Sequence, residues 1–339
     1  ALDDGWPTAT AAEAGLDEGP LVALMQAVLA GDYPQVHSIL VARGGRLAVE
    51  EYFYGYGRER LHTLQSCTKS VTSLLFGIAL EEGLLKDLDA PVHGFFPGYA
   101  GRRWVDAAYD ISLRHALTMS ASLAWNESLP YTDPRNDNTA MNASADWIGY
   151  VLDRERAGAP GQKFAYTSGL SILLGGVLRQ ATGRYADEYA AETLFPALGI
   201  DSYRWFAAPD GTRHTGGGLS LRPRDFLKIG QLVLDGGAWN GRQVVPAAWI
   251  AESTSRQTGE GDTPYGYQWW LGSFDAGGEA VEAIQALGYG GQILSIFPSL
   301  DLVVAFTAGD YAGDGARPRE RLERYILPAA SSSPRQKPR

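Results

Sequence analysis

The 339-residue sequence predicts an α/β + α architecture: one antiparallel sheet flanked by helices, with an inserted, mostly helical domain. Three observations carry this. Strand-like segments gather near both ends of the chain, and helical segments joined by long loops fill the middle. The composition, 45% hydrophobic and 20% charged, suits a globular chain with a large core. The expected boundaries are residues 1–84 and 206–330 for the sheet domain and 85–205 for the helical domain. Residues 331–339 read as a disordered tail.

A loop-like stretch to Asp17 leads to a helix near Leu21–Leu29. The apolar runs His37–Val41 and Leu47–Tyr54 flank Arg43-Gly44-Gly45-Arg46, which reads as a hairpin. From Ser66 to Glu82 the period is helical, with Val71, Leu74, Leu75, Ile78 and Ala79 on one face and Gly83 as the stop. Leu113–Met119, Ala145–Asp153 and Leu170–Thr182 are the helices of the insert. Leu219–Gly236 and Pro246–Ser253 read as helices, and Gly266–Leu271, Val281–Leu287, Ile293–Phe297 and Leu302–Ala308 as strands. A last helix, Pro318–Tyr325, precedes a Ser/Pro/Arg tail from Ser331.

The net charge of −10 is spread out and there is no Lys/Arg run. Neither nucleic acid nor an anionic membrane is an expected partner. A single cysteine, Cys67, excludes an intrachain disulfide and a Cys-rich zinc site. The histidines lack zinc-hydrolase spacing, and neither G-x-S-x-G nor a Walker motif occurs. No cofactor, no metal and no membrane span are expected. The first residue is Ala1 rather than Met, which reads as a trimmed or processed chain and leaves the compartment open.

Ser66-Cys67-Thr68-Lys69 is the first chemical motif. A serine hydroxyl is a weak nucleophile until a base takes its proton. Three residues along a helix is the same face, so Lys69 can reach Ser66. Among five lysines (Lys69, Lys86, Lys163, Lys228, Lys337), only Lys69 follows a serine at this spacing. The second motif is Tyr166-Thr167-Ser168, where a phenol could shuttle a proton and Ser168 could donate a hydrogen bond. The third is Tyr289-Gly290-Gly291-Gln292, at the start of a late strand. There the Gln292 N–H could join the Ser66 N–H as an oxyanion hole. Trp125, Glu127, Tyr131 and Asp133 share a loop that could wall a pocket and bind an amine, or equally be a loop anchored by its buried aromatics. His214-Thr215-Gly216 imitates a third motif, but it precedes a helix and is read as lying outside the site.

Taken together, and in this order, the three motifs resemble the serine β-lactamase and penicillin-binding-protein superfamily. Within it the chain resembles the branch holding class C β-lactamases, family VIII carboxylesterases, D,D-peptidases and 6-aminohexanoate-dimer hydrolases. Ile111–Ser120, Gly217–Asp225 and Tyr265–Trp270 extend the resemblance along the chain. It implies a β-lactamase-like fold with Ser66, Lys69 and Tyr166 as catalytic residues. Two positions depart from class C: Ser168 replaces an asparagine, and Tyr289-Gly290-Gly291 replaces K-T-G and supplies no cation. The expected activity is therefore serine hydrolysis of a small ester or amide through an acyl-enzyme. Tyr289, Gly290, Gly291 and Ser168 would contact the substrate. The alternatives are a D,D-peptidase, a weak β-lactamase, or a non-catalytic binding protein on the same scaffold.

Overall fold

The computed structural model describes residues 4–258, 264–312 and 317–331. A six-stranded antiparallel sheet draws its strands from both ends of the chain. The first two are β1 (Val36–Arg43) and β2 (Arg46–Tyr52). Two short strands, β3 (His62–Thr63) and β4 (Tyr203–Trp205), belong with β5 (Leu219–Leu221) to a separate three-stranded sheet ordered β3-β5-β4. A small hairpin joins β6 (Ala238–Trp239) to β7 (Arg242–Gln243). The late strands β8 (Trp270–Asp275), β9 (Ala280–Gly288), β10 (Gln292–Phe297) and β11 (Leu302–Ala308) complete the large sheet in the order β2-β1-β11-β10-β9-β8.

Coverage of the sheet explains its sequence pattern. The central strand β11 is buried at every position and is apolar except for Thr307, whose hydroxyl bonds Ser38 Oγ at 2.6 Å. Helix Glu18–Ala30 and the C-terminal helical stretch Pro318–Ser331, which includes a π turn at Leu322–Ile326, pack on one face. The helices Thr68–Glu81 and Pro223–Leu234 join the core on the other. That second core continues into the inserted segment, so Leu294 and Val303 of the sheet share one apolar cluster with Leu117, Val151 and Leu174. The insert is therefore packed on the sheet through a common core. No helix among the described residues is long and apolar enough to cross a membrane.

Several elements differ from expectation for local reasons. Leu219–Leu221 is a strand, because Arg222 is extended and Pro223 takes the first helical position, where a missing N–H costs nothing. Residues 264–269 hold only an isolated bridge at Tyr265 and a bend at Tyr267–Gln268, and β8 starts only at Trp270. Tertiary packing orders two helices that weak periodicity hid, Asp137–Ala143 and Ala186–Thr193. Ser331 ends the last helix; the remainder of the expected tail lies outside the described residues.

Candidate active site

Ser66 stands in a 3-10 turn, Gln65–Cys67, which runs directly into helix Thr68–Glu81. Two contacts fix this turn. Thr68 Oγ1 donates to Gln65 O at 2.7 Å, and it accepts the Leu219 N–H of β5 at 3.1 Å. Gln65 itself has φ +48°, a conformation costly for a side-chain-bearing residue and characteristic of functional turns. On the far side, β9 presses in at Gly288: a Cβ there would lie 2.4 Å from Leu64 O. Only glycine permits that approach.

Lys69, the second residue of the helix and about one turn beyond Ser66, is 1% exposed. Its Nζ donates to Ser66 Oγ at 3.1 Å, Ser168 Oγ at 3.0 Å and Gly216 O at 2.6 Å. Three acceptors match the three protons of an ammonium. Ser168, at the start of helix Ser168–Thr182, is held in turn by Glu127. Its Oγ donates to Glu127 Oε1 at 2.6 Å and its N–H to Oε2 at 2.8 Å. Tyr131 Oη and Trp125 Nε1 also donate to this carboxylate, at 3.0 and 2.8 Å. Glu127 is thus filled by four protein donors. It anchors the loop and Ser168, and it does not offer the free carboxylate that an amine-binding role requires.

Tyr166 enters through its ring, whose centroid is 4.9 Å from Lys69 Nζ. The ring stacks on Trp270 at 5.5 Å. Its neighbour Trp269 is fully buried, so Trp270 is the member of the pair that contacts Tyr166. No hydrogen bond joins the Tyr166 hydroxyl to Ser66 or Lys69.

The cleft beside these groups encloses about 720 Å³ and is lined by Ser66, Ser168, Tyr131 and Tyr289 among others. Several expected members lie elsewhere. Gln292 is fully buried opposite Gly288, with its amide bonded to the Ala308 backbone, and it does not line the cleft. Gly290 and Gly291, at φ +82° and +91°, form the turn between β9 and β10 and are also outside the lining. Tyr289 is the cleft residue of that segment, and its N–H goes to no backbone carbonyl among the described residues. Asp133 is occupied by Arg135 at 2.6 Å and does not reach the cleft, nor does Trp125.

The opposite correction applies to His214-Thr215-Gly216, which the sequence reading set aside. His214 lines the cleft, Gly216 O binds Lys69, and Thr215 O accepts from Thr72 Oγ1 of the nucleophile helix at 3.1 Å. The adjoining run Gly216-Gly217-Gly218 was the available signal, since side chains on tandem glycines would obstruct a close approach. A Cβ on Gly216 would fall 3.2 Å from Ser168 O. Burial first, and the Lys69 ammonium second, push the His214 imidazole down to about 4. Among the described residues no group of three or more His, Cys, Asp or Glu could hold a metal ion.

An antiparallel sheet with an inserted helical segment, and a buried lysine bonded to a serine at the cleft between them, define a β-lactamase-like scaffold. The chain belongs to the Beta-lactamase family, whose model matches residues 24–326. It is 27% identical over 291 residues to a 6-aminohexanoate-dimer hydrolase of Paenarthrobacter ureafaciens, covering 79% of this chain and 71% of the relative. A provisionally assigned 6-aminohexanoate-dimer hydrolase from Bacillus anthracis superimposes with a TM-score of 0.77 at 20% identity, over 89% of this chain and 80% of that one. A class C β-lactamase from Rhodobacter sphaeroides gives 0.69 at 18% identity, over 92% and 100%. The two structural likenesses establish the fold.

Proposed function

We propose that this protein is a serine hydrolase that cleaves an ester or amide bond of a small substrate through an acyl-enzyme. The observation that carries this reading is the set of acceptors around Lys69. Gly216 O can only accept. Ser168 Oγ is made an acceptor because its own proton is committed to Glu127. When the amine is neutral, its two remaining protons serve those partners, and its lone pair is left facing Ser66 Oγ–H. A general base needs this arrangement.

In the proposed sequence Lys69 takes the Ser66 proton as Oγ bonds to the carbonyl carbon. The Ser66 and Tyr289 N–H groups hold the oxyanion. Tyr289 replaces Gln292 in this role because it lines the cleft and the Gly288 backbone presses against the nucleophile turn. Tyr166, beside Lys69, passes the proton to the leaving group, and water then attacks the acyl-enzyme to regenerate Ser66. The name of the Paenarthrobacter relative favours a linear amide among the possible substrates.

A fluorophosphonate probe and p-nitrophenyl acetate test the reading. Labelling at Ser66 and ester turnover are expected, both absent in Ser66→Ala. Lys69→Ala should fold and lose turnover by roughly 10²-fold or more, the usual scale of general acid–base catalysis. Near-normal turnover in Lys69→Ala would remove this residue from the base role. A panel of nitrocefin, aminohexanoate dimer and D-Ala-D-Ala peptides then ranks the acyl groups.

A further inference from the structure

Strand register in the three-stranded sheet places Thr63 opposite Ser220, and Ser220 opposite Arg204. The alternation of side chains along a strand makes this a single cross-strand row on one face. Leu219 and Leu221, which flank Ser220, are fully buried on the other face. All three row residues line the cleft that contains Ser66, and the row starts three residues before the nucleophile. Two hydroxyls and a guanidinium therefore stand side by side along one wall.

Charge singles out this row. Among the described residues Arg204 is the only Asp, Glu, Lys or Arg in the cleft lining, and His214 there is neutral near pH 7 because its pKa is pushed down to about 4. The Arg204 side chain has, among the described residues, neither an ion pair nor a hydrogen-bond partner. Asp201, the acid three residues earlier, is taken by Arg222 at 2.6 Å, as is Glu59 at 3.0 Å. The Glu127 carboxylate is filled by its own four donors. A fixed cation thus faces the cleft of a chain whose net charge is −10.

We infer that Arg204, with Ser220 and Thr63, forms an anion subsite that holds a carboxylate on the substrate's arm remote from the scissile carbonyl. A guanidinium fork suits a carboxylate through paired N–H donors, and the hydroxyls can donate to its remaining lone pairs. Neighbouring strands are about 4.8 Å apart. The row therefore spans roughly 10 Å, which sets the spacer between the reacting carbonyl and the anion at several atoms. This rests on the hydrolase reading and narrows its substrate class to anionic esters or amides.

The test compares kcat/KM for charged and neutral partners. Mono-p-nitrophenyl adipate against p-nitrophenyl hexanoate places the carboxylate on the acyl arm. 4-Acetoxybenzoate against phenyl acetate places it on the leaving group. In at least one pair, Arg204→Met should lower the charged-to-neutral ratio by about tenfold or more, the scale of one charge-assisted contact, and Arg204→Lys should retain part of it. Ratios that match wild type in both pairs would overturn the subsite. If no ester is cleaved, calorimetric titration with adipate reads the subsite apart from catalysis. Adipate bound by wild type and released by Arg204→Met supports it, and the hydrolase reading alone fails. Adipate bound equally by both proteins, or by neither, overturns it.

Discussion

Replacing Glu127 by glutamine tests the direction of the hydrogen bonds around Lys69. Oε2 faces two obligate donors, the Ser168 N–H and Trp125 Nε1, whereas Oε1 faces two hydroxyls, Ser168 Oγ and Tyr131 Oη. A glutamine must keep its oxygen on the first pair and turn its NH₂ to the second, because only hydroxyls can reverse roles. Ser168 Oγ then accepts from the amide, and its freed proton can point at Lys69 Nζ, 3.0 Å away. The lone pair of a neutral amine would now be drawn to Ser168 instead of Ser66. Recovering the productive arrangement costs about 1–2 kcal/mol, the worth of one hydrogen bond. That corresponds to a roughly 5- to 30-fold fall in kcat. Stability should change little, since all four donor positions keep a partner. The assay is kcat for p-nitrophenyl acetate, with thermal melts on the same samples. In a Ser168→Ala background the Glu127→Gln change should have no further effect on kcat, because no hydroxyl bonded to Lys69 remains to reverse. A folded Glu127→Gln enzyme with wild-type kcat, or full additivity with Ser168→Ala, would show that Glu127 does not set the direction of the Ser168–Lys69 bond.

Two further outcomes follow from the geometry. Gly288→Ala would place a methyl 2.4 Å from Leu64 O, 2.9 Å from Gln292 Cβ and 3.1 Å from Gln65 Cβ, a clash that forces β9 and the nucleophile turn apart. It should cost about 1–3 kcal/mol of stability and lower kcat, measured by thermal melts and ester turnover; unchanged values would show that β9 does not brace Ser66. His214 should make the fold acid-sensitive. Unfolded, an imidazole takes up its proton below about 6.5; folded, burial and then the Lys69 ammonium delay this to about 4. Stability is therefore lost as pH falls from about 6.5 to about 4, by about 3 kcal/mol for this group. Chemical denaturation of wild type and His214→Asn across that range should show a shallower pH dependence in the variant, and identical slopes would contradict the assignment.

The parts of the molecule that were legible in sequence are those with local signatures. The Gly-Gly hairpin, the apolar period from Val71 to Ala79 and the late apolar strands each declare themselves within about a dozen residues. The S-x-x-K spacing likewise needs only one helical turn to bring Lys69 to Ser66, 3.1 Å apart. What escaped depends on partners far along the chain. Leu219–Leu221 looked like the start of a helix because its two edge partners, β3 and β4, are too short to announce themselves. His214-Thr215-Gly216 was set aside for preceding a helix, yet its carbonyl reaches a lysine 147 positions earlier. Gln292 was expected at the oxyanion because the glycine-rich strand start lets a backbone approach a ligand; the three-residue turn instead buries Gln292, with its side-chain amide on the Ala308 backbone.

The substitution at Ser168 shows what such distant coupling means for function. An asparagine at that position carries a carbonyl oxygen that can only accept, so it presents a lone pair to the lysine unaided. A serine hydroxyl can turn either way, and by itself leaves the direction of the bond to Lys69 undetermined. Glu127, 41 positions earlier, removes that freedom by taking the hydroxyl proton at 2.6 Å. Read singly, Ser168 weakens the match to the motif and Glu127 suggests a binding group for an amine. Read as a pair they form one acceptor, built from two side chains where a single amide would serve. The pair also explains why the loop is stitched so densely around this carboxylate: Trp125 and Tyr131 hold Glu127 in place, and any rotation of Glu127 would release the Ser168 proton toward the base.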